Sequence, residues 1–112
     1  MTQRQDLSGI AGHDLIFDLV LTADGNPLNL AGITVTIYLK ASPVTPDAIG
    51  AVFTSGQGFT ITSTAGGALT WTIPAGDMSI SAPGALWYRV DVSASGADPQ
   101  PAMYGALNLI AA

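Results

Sequence analysis

From Leu69 to Val92 the chain reads LTWTIPAGDMSISAPGALWYRVDV, and its apolar and polar positions alternate in two clean blocks. Leu69, Trp71 and Ile73 fall on one side, Thr70 and Thr72 on the other. Successive strand side chains point to opposite faces, so this is a half-buried strand with Trp71 in the core. Pro74 and Gly76 end it, because proline donates nothing to a ladder and glycine frees the backbone. A second alternating run follows Pro83 and Gly84. Leu86, Tyr88, Val90 and Val92 face inward there, with Trp87, Arg89 and Asp91 outward. The intervening segment 75–81 is too short for a stable helix of its own and reads as one helical turn or a crossover loop.

The same period of two recurs along the chain. From His13 to Thr22, Leu15, Phe17, Leu19 and Leu21 share a face, and Ile16 and Val20 make the opposite face partly apolar, as in a strand covered on both sides. Asp24-Gly25-Asn26-Pro27 is a strong turn signal. Ile33, Val35, Ile37 and Leu39 alternate with Thr34, Thr36, Tyr38 and Lys40. Segment 42–50, with two prolines, predicts a loop. Short strands follow at 51–54 and 59–63, with Phe59 and Ile61 inward, and 64–67 turns the chain into the Trp71 strand. Beyond a turn-rich stretch at 93–101, a last strand covers 102–110, with Met103, Leu107 and Leu109 alternating. Residues 1–11 read as an N-terminal arm, leaving 12–112 as one domain. About seven short strands and no helical period predict an all-β fold, an antiparallel immunoglobulin-like β-sandwich. An up-and-down barrel is the alternative pairing order.

Composition adds constraints on function. The 112 residues contain no cysteine, which excludes disulfides and thiolate metal sites. No run approaches a membrane-spanning helix, and the first ten residues lack the apolar core of a signal peptide. Three basic residues, Arg4, Lys40 and Arg89, stand against eight Asp, for a net charge of −5. That balance argues against nucleic-acid binding, which needs clustered cations. Charged residues make up only 10% of the chain, against about 25% in ordinary soluble proteins, so part of the surface is expected to be covered by other subunits.

Candidate chemistry is thin. His13 is the only histidine, with no nucleophile elbow beside any serine, and the glycine pairs lack the strand–loop–helix setting of a phosphate site. Neither a cofactor nor a metal site is expected, and the chain reads as no enzyme. The outward aromatics Trp87 and Tyr38 beside Arg89 are the candidate interface residues, since such groups are enriched at protein contacts. Flat rings on a sheet also suit a carbohydrate-binding or adhesin module, which is the second reading.

Taken in order, Gly12-His13-Asp14-Leu15, the DGNPLNLAG turn (24–32), the TVTIYL strand (34–39), AGGALTWTIPA (65–75), PGALWYRVDV (83–92) and YGALNL (104–109) resemble a recurring domain of tailed-bacteriophage virion proteins. These are the immunoglobulin-like domains of upper baseplate proteins and related tail, fibre and neck components. The resemblance spans nearly the whole chain through turn and core signatures. It implies a non-enzymatic structural part of the virion, present in several copies, whose partners are other virion proteins and further copies of itself. It supplies no catalytic or ligand residues.

Overall fold

The computed structural model describes residues 3–23, 26–40, 51–74, 84–94 and 97–110. Among the described residues there are eleven strands and no helix. They are β1 (Gln3–Arg4), β2 (Leu7–Ile10), β3 (Leu15–Val20), β4 (Thr22–Ala23), β5 (Asn26–Pro27), β6 (Ile33–Lys40), β7 (Ala51–Ser55), β8 (Gly58–Ser63), β9 (Ala68–Ile73), β10 (Gly84–Ala94) and β11 (Gln100–Ile110). The seven strands expected from alternation correspond to β3 with β4 and to β6 through β11. The other three, β1, β2 and β5, are two to four residues long, too short to show a period. Two of them, β1 and β2, lie within the segment read as an arm. The turn at Asp24-Gly25, the loop at 42–50 and the helical turn at 75–81 fall outside the described residues.

One nine-stranded sheet carries the fold, in the order β1-β11-β10-β6-β7-β8-β9-β3, with β2 also paired to β11. β4 and β5 form a separate hairpin. The expectation of purely antiparallel pairing is corrected at two places. β1 and β2 run parallel to β11, in a constant register that matches Arg4 to Tyr104 and Leu7 to Leu107. β7 and β8 meet through two parallel pairs, Thr54 with Gly58 and Ser55 with Phe59. Parallel neighbours need a long connection, and the whole domain between residues 11 and 99 supplies one for the first case.

Trp71 shows how the sheet closes on itself. It is fully buried on β9 and contacts Phe17 on β3, Phe53 on β7 and Tyr88 on β10, with ring centroids 5.5–5.9 Å apart. β10 and β7 are not ladder neighbours of β9, so these contacts join inner faces across the core. Tilted and edge-on rings at this spacing contribute roughly 0.5–1.5 kcal/mol per pair beyond burial. Leu19, Leu21, Ile37, Leu39, Leu69, Ile73, Val90, Met103 and Leu107 fill the space around them. Each such side chain is worth roughly 1.5–3 kcal/mol of transfer free energy. Within the chain β3 is covered on one side only, for Ile16 and Val20 are 66% and 46% exposed.

Two glycines are fixed by close approach. Gly67, at φ 68°, passes so near the carbonyls of Leu21 and Leu28 that a Cβ there would collide with backbone. Gly105, on the inward side of β11, lies under the carbonyl of Gln5. Its missing side chain lets the N-terminal segment lie flat on β11. There the Gln5 N–H donates to the Tyr104 carbonyl at 2.9 Å, and the Ala106 N–H donates to Asp6 Oδ1 at 3.0 Å.

Candidate functional site

Pairing in β6, β10 and β11 aligns outward side chains that are far apart in sequence. Register matches Arg4 with Tyr104, Tyr104 with Arg89, Arg89 with Tyr38 and Tyr38 with Val52. The result is a row of five side chains across five strands, pointing away from the core. The next row sets Trp87 between Ala106 and Lys40. All three basic residues of the chain therefore belong to one face, together with three of its five Tyr and Trp residues.

Arg89 is the fixed point. Its Nε and terminal nitrogen donate to the two oxygens of Asp91 at 2.7 and 3.0 Å, a bidentate pair. The guanidinium also lies 4.7 Å from the centre of the Tyr38 ring. A bulge between Val90 and Asp91 accompanies the tucking of Asp91, which is buried. The guanidinium plane is thereby held by an acid along the strand and an aromatic across it.

Arg4 makes the corresponding contacts at the edge. Its guanidinium sits 5.6 Å from the Trp87 ring centre and 5.8 Å from that of Tyr104, and Nε donates to Asp6 at 3.3 Å. The Ala106 N–H holds the Asp6 carboxyl below its usual range, and Arg4 adds to the effect against a smaller opposing pull from desolvation. Lys40 is buried and Trp87 half-buried, while Tyr104 and Val52 remain open to solvent.

Tyr38, Trp87 and Arg89, the three residues singled out from sequence, thus share one face, and Arg89 and Tyr38 are in direct contact. Sequence reading missed Arg4, Asp6, Lys40 and Tyr104. Tyr104 was within reach, since alternation with Met103 and Gly105 turns it outward. Arg4 was not, because its place depends on a pairing with a strand a hundred residues later.

Elsewhere the described residues offer little chemistry. His13 is exposed in the turn after β2, its N–H donating to the Ile10 carbonyl. Asp18 is exposed on β3 and accepts from the Thr70 hydroxyl at 2.9 Å. A shallow pocket of about 340 Å³ is lined by Thr60, Thr70, Thr72 and Pro74 among others, with no titratable group. Among the described residues no group of three His, Cys, Asp or Glu side chains could hold a metal ion. Among the described residues no helix is long and apolar enough to cross a membrane. No protein-family model matches the chain, and no curated protein matches it.

Proposed function

We propose that this chain is a structural component of a tailed-bacteriophage virion, an immunoglobulin-like β-sandwich that acts by docking onto other virion subunits and performs no catalysis. The observation that carries the reading is the gathering of Arg4, Lys40 and Arg89 with Tyr38, Trp87 and Tyr104 on one outer face. Arg, Tyr and Trp are the residue types that dominate the energetics of protein interfaces. The chain-wide resemblance described above supplies the setting, a multi-copy virion assembly.

Strand order supports the sandwich. β11-β10-β6-β7 followed by β8-β9-β3 is the order in which an immunoglobulin domain divides its strands between two layers. The two-pair contact of β7 with β8 would be the seam. A carbohydrate-binding role stands second. A sugar stacks on an open ring face, and here the Arg4 and Arg89 guanidiniums lie over Trp87, Tyr104 and Tyr38.

The test is fractionation of phage particles from a culture producing this protein, probed with a specific antibody. The protein is expected to sediment with intact particles through a density gradient. Its absence from particles that are otherwise complete overturns the reading.

A further inference from the structure

We propose that the free edge of β3 is a docking site for an extended segment of a different protein, added to the sheet as a further antiparallel strand with a Lys or Arg opposite Asp18. The inference stands on the sheet edge and not on the Arg4–Arg89 face, so it holds whether or not the chain is part of a virion.

Backbone geometry is the first argument. β3 ends the sheet, with β9 on one side, and among the described residues no strand pairs its other side. The Leu21 N–H donates to the carbonyl of Gly67, the residue set directly opposite when the β3–β9 register is carried one step further. Opposed residues of an antiparallel pair alternate between bonded and unbonded. Leu19 with Leu69, Phe17 with Trp71 and Leu15 with Ile73 are therefore the bonded pairs. The N–H and C=O groups of Ile16, Asp18 and Val20 point instead to the open edge. Such a row of unpaired groups is a ready template for another strand. The usual guards are missing from β3: it has no proline, no lysine and no bulge in its register. Asp18 is its one charge.

Side chains narrow the occupant. Ile16, Asp18 and Val20 are all exposed on the outer side of the sheet. The Asp18 carboxylate accepts from the Thr70 hydroxyl, and among the described residues no cation pairs with it. A guest strand that reads apolar, cationic, apolar on that side matches the three residues in turn, since cross-strand neighbours of opposite charge stabilise a pair and like charges destabilise it. This chain has no basic side chain to spare for the role. Arg4 is paired with Asp6, Arg89 with Asp91, and Lys40 is buried and already engaged. A second β3 fits no better, because centring two copies antiparallel sets Asp18 against Asp18. The sheet's opposite edge, β1 with β2, is interrupted between Arg4 and Leu7. The cation therefore comes from another protein.

The probe is a synthetic peptide, acetyl-Thr-Val-Val-Lys-Val-Val-Thr-amide, titrated into the intact chain to its solubility limit while amide exchange is followed residue by residue. In the free protein the amides of Ile16, Asp18 and Val20 are expected to exchange fast and those of Phe17 and Leu19 slowly. Peptide should protect the first set and leave the second unchanged. Replacing its Lys by Glu should weaken binding roughly fivefold or more, and Asp18→Lys should reverse that preference. N-methylation of the Lys and of the second and sixth residues, whose amides face β3, should abolish binding. No protection of Ile16, Asp18 and Val20 at any peptide concentration overturns the proposal. Equal binding of the Lys and Glu peptides overturns the choice of a basic partner, and binding kept after N-methylation overturns strand addition. Self-association of the chain alone in sedimentation velocity, with those three amides protected, makes a second copy the occupant and overturns the proposal too. Particle fractionation bears on the virion role alone, and peptide binding on this edge alone.

Discussion

The hydroxyl of Tyr88, in the middle of β10, donates a hydrogen bond to the main-chain carbonyl of Gln5, between β1 and β2. It crosses beneath Gly105 and ties the start of the chain to a core strand. Tyr88→Phe keeps the ring among Trp71 and its neighbours but leaves that carbonyl without its donor. A loss of about 1 kcal/mol is expected in denaturant titration, the net worth of one such bond.

The same tyrosine resists ionisation. Burial, and secondarily the Asp6 charge, raise its pKa well above the ordinary value of 10.0. A raised pKa favours the neutral phenol in the folded state. The resulting stabilisation is complete below about pH 10 and is lost as pH climbs from there toward the folded pKa. Spectrophotometric titration should show Tyr88 ionising in a last phase that comes only with unfolding. Tyr88→Phe should remove the last phase.

Asp6 shifts the other way, below its ordinary 3.8. Its contribution is present above that value and disappears as pH falls through the lowered pKa. In thermal melts taken from neutral pH downward, wild type should lose stability below about pH 4 more steeply than Asp6→Asn. Equal slopes would mean that the carboxylate is not held by Ala106 and Arg4.

Gly105→Ala tests the close approach. The added methyl would overlap the Gln5 carbonyl, so the N-terminal segment must lift from β11. The expected cost is about 1–3 kcal/mol, as for other overpacked sites. Amide exchange should rise at residues 5–10 and stay unchanged in β9. Protection kept at Leu7 and Gly9 would show that the segment is held some other way.

Trp71→Ala should cost about 3–5 kcal/mol, a large part of a typical total of roughly 5–15 kcal/mol. The indole N–H is buried without a hydrogen-bond partner, so part of what the ring contributes is offset by that desolvated donor. Trp71→Phe removes the donor and keeps an aromatic, and should lose much less than the alanine variant in the same denaturant titration.

Leu69, Trp71 and Ile73 were readable in the sequence because one face of their strand is wholly buried and the other is not. A period of two has no other cause there. The same holds for Val35, Ile37 and Leu39, whose partner face carries Tyr38. What alternation does not encode is which strand lies beside which. That Arg89 stacks on Tyr38 follows from the β6–β10 register, and that Arg4 reaches Trp87 follows from a parallel pairing with β11. β1 and β2 left no signal because they are short and depend on a glycine, Gly105, whose role is to have no side chain. The paired Ile16 and Val20 suggested cover on both sides of β3, a feature that a single copy does not supply.

The register that sets Leu7 beside Leu107 places a clock on biogenesis. On the ribosome the first strands emerge a hundred residues ahead of the strand that receives them, so they must wait, unpaired, while the rest of the domain is made. β11 is the keystone: it has β10 on one flank and β1 with β2 on the other, and until it arrives neither flank is closed. Folding of this domain is therefore completed only once β11 has been made, when β10 and the two first strands gain the partner they share.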